Sequence, residues 1–317
     1  MPKTTHRRRR FSPPKALTVA ALVAFVLVDV ALVGYALTRD SGLTTGARPS
    51  AMVTPSGSAS PAPTPTSTAP VDSAMPAATT YLSVVDATTA YRISAGDCPS
   101  ETPAQLEKSV DAGVTWSASP ITTGMTDVTR LQATESAVAF VIGESGEECS
   151  LDFSATYTSG ADFVSYPERL AVAWYLEPEA DLPVHSPTGS YSAPCDTPVS
   201  LASAAGQAAA LLCSDGMVYQ TTDGASSWDS GTGIDGARAL AASDGGFLLA
   251  SVEEDSSDCD GVEVTSLGAD GVVTPLSCRE GSPVPTGDLA VSEANGIVWL
   301  MQGDTVAISI DGGRTWN

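Results

Sequence analysis

An eight-residue pattern that returns along the chain constrains its fold more than any other feature. The last nine residues read SIDGGRTWN, in which Ser309, Asp311, Gly313, Thr315 and Trp316 spell S-x-D-x-G-x-T-W. Ser109, Asp111, Gly113, Thr115 and Trp116 repeat it without mismatch in SVDAGVTW. TTDGASSW is a third copy, with Thr221, Asp223, Ser227 and Trp228 in place and Ala225 at the glycine position. Each position has a physical role. A carboxylate in a tight turn accepts backbone N–H groups that the turn leaves unpaired. Glycine permits a positive φ. The hydroxyls bond back to the turn, and tryptophan offers a large apolar body to bury. The pattern therefore describes a stapled hairpin.

These residues resemble the Asp-box, or BNR repeat, of sialidase-like and photosystem II assembly factor-like β-propellers. The resemblance implies that each box joins the third and fourth strands of a blade, on the side away from the usual active site. It also implies that Asp111, Asp223 and Asp311 are structural rather than catalytic or calcium-binding. The tryptophans stand 112 and 88 residues apart, near multiples of one blade. Degenerate copies fill the gaps: TYTSGADF, with Thr156, Gly160 and Phe163, and the fainter SLGADGVV, with Ser266 and Val273. The intervals become 47, 65, 45 and 43 residues. An apolar segment introduced by a turn precedes each box and reads as an inner strand: TTAYRIS, ESAVAFVIG, GQAAALLCS, DGGFLLASV and NGIVWLMQG. Short strands at regular spacing with Gly-rich turns signal a propeller. The expectation is an all-β β-propeller of about five four-stranded blades over residues 81–317.

Two features strain that count. The 65-residue interval holds an excess, Tyr166 to Pro194, read as a long loop in preference to a cryptic sixth blade. The last box ends one residue before the last residue of the sequence, so a strand from around Met75 to Val84 is expected to complete the final blade.

Upstream, the charge is segregated. The whole chain carries −22, with 15 basic and 37 acidic residues. Six of the basic residues lie in the tip, 1–15, including Arg7 to Arg10. Residues 16–38 follow, and Ala16 to Leu37 contains one charge, Asp29. A helix of that length reaches about 33 Å, enough to cross a bilayer core. This reads as a transmembrane signal-anchor, with the basic tip cytoplasmic and the rest outside by the positive-inside rule. A cleaved secretory leader is the alternative, although its apolar core is ordinarily shorter. Residues 39–80 are rich in Ser, Thr, Pro and Ala, the composition of a disordered stalk and a common substrate for O-glycosylation. From residue 81 onward seven basic residues face 34 acidic ones, a net of −27. That charge excludes a nucleic-acid partner.

Cys98, Cys149, Cys195, Cys213, Cys259 and Cys278 all lie beyond the apolar segment, where an oxidising compartment favours three disulfides. Six cysteines allow 15 pairings. The hairpins place Cys259 opposite Cys278 and Cys195 near Cys213, which leaves Cys98 for Cys149. A reactive thiol pair is disfavoured because no CxxC occurs.

The chemistry is sparse. Tyr91-Arg92-Ile93-Ser94 resembles the Tyr/Phe-Arg-Ile-Pro motif of sialidases, without its proline, and the resemblance would give Arg92 a substrate carboxylate. No context singles out partner arginines, and a −27 field repels an anionic sugar. His185 lies in the loop-like PVHSP and reads as solvated. The acidic run Glu253 to Asp260 lacks the EF-hand pattern. No cofactor and no metal are expected. The favoured function is binding or scaffolding at the cell envelope, with an envelope protein or glycan as partner; the alternative is a sialidase-like exo-glycoside hydrolase. Trp174, Tyr175, His185 and Tyr191 are candidate ligand contacts in the long insertion, against the reading that Trp174 and Tyr175 pack between blades.

Overall fold

The computed structural model describes residues 79–177, 183–252, 259–281 and 288–317. All of them belong to one compact unit, Ala69–Asn317. The basic tip, the apolar segment and nearly all of the stalk lie outside the described residues. Among the described residues, no helix is long and apolar enough to cross a membrane.

The strands form six sheets. Blade 1 is β1 (Thr80–Val84), β2 (Ala90–Ser94), β3 (Gln105–Ser109) and β4 (Ser117–Pro120). Blade 2 is β5 (Met125–Glu135), β6 (Val138–Ser145), β7 (Ser150–Thr156) and β8 (Val164–Ser165). A 3-10 turn, Pro167–Val172, leads to blade 3: β9 (Tyr175–Leu176), β10 (Val184–Ser186) and β11 (Gly189–Tyr191). Blade 4 is β12 (Pro198–Ser203), β13 (Ala209–Cys213), β14 (Met217–Thr221) and β15 (Thr232–Gly233). Blade 5 is β16 (Ala237–Ser243), β17 (Gly246–Ser251), β18 (Gly261–Gly268) and β19 (Val273–Glu280). Blade 6 is β20 (Leu289–Ala294), β21 (Ile297–Gln302) and β22 (Thr305–Ser309). The innermost strands β1, β5, β9, β12, β16 and β20 lie against one another in turn, and β20 meets β1 to close the ring.

The core is divided among the six spaces between blades, one apolar cluster to each. This explains which strands are most apolar. β13 is buried at all five positions because neighbouring blades cover both of its faces. The innermost strands border the channel and carry half-buried polar groups such as Arg130, Ser200 and Arg238.

Three expectations are corrected. The apolar segments taken as inner strands are the second strands, β2, β6, β13, β17 and β21. The ring has six blades rather than five, because the Tyr166 to Pro194 excess supplies a blade of its own. Strands of two or three residues are too short to show an alternating pattern. Among the described residues no upstream strand completes the final blade. β1 is the innermost strand of blade 1, and residues 75–78 lie outside the described residues.

Successive strands within each sheet are antiparallel. In the full blades, turns between strands one and two and between strands three and four therefore share one face. Turns between strands two and three share the other face with the links between blades. The S-x-D-x-G-x-T-W turns occupy the first face. The disulfides Cys98–Cys149, Cys195–Cys213 and Cys259–Cys278 occupy the second. All three pairs are those expected from the sequence. Glu263 on β18 stands directly across from Cys278 on β19, which sets Cys259 within reach.

Candidate functional site

The repeated turns share one hydrogen-bond plan. Ser109 Oγ donates to Asp111 Oδ1 at 2.9 Å and accepts the Gly113 N–H at 2.9 Å. Thr115 donates its N–H to Asp111 Oδ1 at 2.9 Å and its hydroxyl to Oδ2 at 2.6 Å. Asp223 and Asp311 bind Ser227 and Thr315 in the same way. The fourth and fifth positions are both left-handed, with φ of 61° at Ala112 and 80° at Gly113. Ala225 adopts 70° at the glycine position, so that substitution strains the turn without changing it. Hydrogen bonds, chiefly from the Thr115, Ser227 and Ser309 hydroxyls respectively, hold Asp111, Asp223 and Asp311 well below the usual carboxylate range. The two oxygens of each are taken up inside the turn, which fits a structural role.

TYTSGADF folds to the same plan with a hydroxyl in place of the carboxylate. Gly160 N–H donates to Thr156 Oγ1 at 2.9 Å, and Asp162 N–H to Thr158 Oγ1 at 3.0 Å. SLGADGVV does not. It is a plain hairpin turn, with Gly268 N–H on Val272 O at 2.9 Å and Val273 exposed. With glycine at the aspartate position, it has no side chain to staple.

The eighth residue of each turn packs on the preceding blade. Trp116 joins the cluster between blades 6 and 1, Phe163 borders blade 1, Trp228 packs on blade 3, and Trp316 packs on blade 5. Trp316 Nε1 also donates to Ser277 Oγ on β19 at 2.8 Å. The turn backbone follows: Gly224 O accepts Ser186 Oγ at 2.7 Å and Thr188 Oγ1 at 2.9 Å from blade 3.

The innermost strands enclose a channel of about 260 Å³, lined by Arg130, Gln132, Ser200, Ser203, Arg238 and Glu293 among others. Arg130 is its most constrained group. It donates to Trp174 O, Gln132 Oε1 at 2.8 Å and Ser203 Oγ at 2.7 Å. It thus reaches from blade 2 across blade 3 to blade 4. Blade 3 needs that bridge because its innermost strand, β9, is two residues long. Burial lowers Arg130 to about 10, so it stays cationic at neutral pH. Burial and then the charge of Asp127 push Tyr81, also in the channel wall, up to about 12. Its phenol is therefore protonated at neutral pH. Glu293 is the one carboxylate lining the channel among the described residues, and its oxygens accept Asp244 N–H at 3.0 Å and Gly296 N–H at 2.5 Å.

The candidate contact residues do not form one surface. Trp174 and Tyr175 are buried between blades. His185, expected in a solvated loop, sits on β10 instead. Its ring stacks on Tyr175 with centroids 4.4 Å apart, and Nδ1 lies 2.9 Å from Ala173 O. Tyr191 is half-buried and donates its hydroxyl to Thr188 O at 3.3 Å. Arg92 is not in the channel wall. It pairs with Glu107 at 2.7 Å, and its guanidinium lies 4.5 Å from the Trp116 ring centre. The acidic run is outside the described residues over 253–258. Sequence reasoning passed over Arg130, whose partners Trp174 and Ser203 lie 44 and 73 residues away.

No protein-family model matches the chain, and no curated protein matches it. Solved structures do. YCF48 bound to D1 peptide is 16% identical, with 77% of this chain and 73% of that chain covered, at a TM-score of 0.28. The GH74 enzyme of Niastella koreensis is 15% identical at a TM-score of 0.31; the match covers 77% of this chain but spans 38% of that enzyme. A structure from the GH130 family of mannoside phosphorylases is 9% identical over 74% of this chain and 83% of that chain, at a TM-score of 0.37. Likenesses of this degree assign no function.

Proposed function

We propose that the chain is a membrane-tethered, extracytoplasmic Asp-box β-propeller that binds or scaffolds a component of the cell envelope. The observation that carries the reading is the make-up of the channel wall. Retaining and inverting glycosidases ordinarily need a pair of carboxyl groups flanking the scissile bond. Among the described residues the wall offers Glu293, and backbone N–H groups already occupy its oxygens. Arg92, the residue that a sialidase resemblance would recruit, is paired with Glu107. A rigid ring with variable loops is a suitable platform for a partner. The apolar stretch over 16–38, with Asp29 its one charge, and the arginine cluster before it support the tether.

The test uses the full-length chain in mild detergent. Saturable capture of an envelope component, competed by free chain, is expected without turnover of any fluorogenic glycoside, a sialoside included. Turnover of a glycoside would replace the binding reading with the hydrolase.

A further inference from the structure

The turn aromatics leave two interfaces uncovered, 2–3 and 4–5, and a groove opens at the second. The aromatic of one blade packs on the blade before it at the 6–1, 1–2, 3–4 and 5–6 interfaces. Blade 5 has the plain Gly268 to Val272 turn and supplies no aromatic to blade 4. A groove of about 960 Å³ opens at this interface, on the face that carries the turns. Its apolar lining includes Ala204, Ala208, Trp228 and Phe247. Its polar groups include Asp229, Asp244 and Glu293, and among the described residues no basic side chain lines it. Asp229 and Glu293 accept backbone N–H groups, whereas the Asp244 carboxylate has no hydrogen bond or ion pair among the described residues.

We propose that this groove docks a basic peptide segment of a partner protein. A branched apolar or aromatic residue of the segment seats on Ala204, Ala208 and Phe247, in the place a turn aromatic fills at four of the other interfaces. A neighbouring lysine or arginine faces Asp244 and Glu293. Charge complementarity selects this occupant. A second copy would bring another net charge of −27 to the same groove. The inference deepens the binding reading and rests on it.

The experiment passes the full-length chain over two immobilised peptide libraries, X-X-Lys-Leu-X-X and X-X-Glu-Leu-X-X, with capped ends. Retention on the lysine library is expected to exceed that on the glutamate library on the order of tenfold, about 1.4 kcal/mol. It should weaken in about 0.5 M salt. Ala269→Trp places an indole in the groove from an exposed turn position. It should abolish retention with an unchanged Tm, and Asp244→Asn should reduce it several-fold. Ala269→Trp leaves the domain charge untouched, so equal retention by this variant would show non-specific attraction and overturn the proposal. Absence of retention by the unaltered chain would overturn it too. Retention that emerges only when Arg7 to Arg10 are replaced by serine would assign the groove to the chain's own tip. A dimer lost in Ala269→Trp would assign it to a second copy. Glycoside turnover would sink the binding reading itself, whereas retention indifferent to Ala269→Trp sinks the groove alone.

Discussion

Trp116 of blade 1 meets Trp299 of blade 6 edge-on, with ring centres 6.3 Å apart and planes at 77°. Trp299 is fully buried, and its indole N–H donates to Asp86 O on blade 1 at 3.1 Å. This pair closes the interface between the first and the last blade of the ring. Arg92 stacks on the outer tryptophan and ties it to β2.

Trp116→Ala should therefore open the seam. Removing a large, partly buried aromatic is expected to cost about 2–4 kcal/mol. Val114→Ala, in the same turn but 79% exposed, should stay within about 0.5 kcal/mol of the unaltered chain. Urea unfolding of both variants checks the contrast, and equal effects would refute a special role for the seam.

Acid should act through the stapled turns. Hydrogen bonds depress the pKa of Asp111, Asp223 and Asp311 in the folded state. A depressed carboxylate stabilises the fold above its unfolded pKa, near 4, and loses that contribution as pH falls below it. The triple Asp→Asn variant should lose less Tm than the unaltered chain between about pH 5 and about pH 2. An acid limb of unchanged slope would place the titration elsewhere.

Arg130 should resist conservative replacement. Its planar fork serves acceptors on three sides, which a lysine point charge cannot reproduce. Arg130→Lys and Arg130→Met are each expected to cost about 1.5–3 kcal/mol, read by chemical denaturation. Full stability in the lysine variant would show that charge alone is needed.

The disulfides should rank by the loop each closes. Cys98–Cys149 spans 51 residues and Cys259–Cys278 spans 19. In the chain-entropy model these are worth about 4 and about 3 kcal/mol. Paired Cys→Ala variants compared by thermal unfolding test the order.

What the sequence disclosed follows from the range of the interactions. The stapled turns were legible because Ser109, Asp111 and Thr115 bond to one another within a few residues. Cys259–Cys278 was legible because hairpin register is local, and Cys98–Cys149 because the two shorter pairs leave no other partner. Blade 3 was not, since β9 to β11 are too short to repeat. Arg130 was not, because its role depends on a gap left by another blade. The groove is harder still: it is the place where one turn lacks the aromatic of its counterparts.

The two faces of the ring carry different covalent and ionic furniture, and so they answer to different environments. Every cystine lies on the face where β1 begins, and every stapled aspartate lies on the opposite face. A reductant therefore loosens loops on the cystine face and leaves the turns stapled. Acid unfastens the turns and leaves the cystines intact. The same disc can be softened from either side independently, by thiols on one and protons on the other.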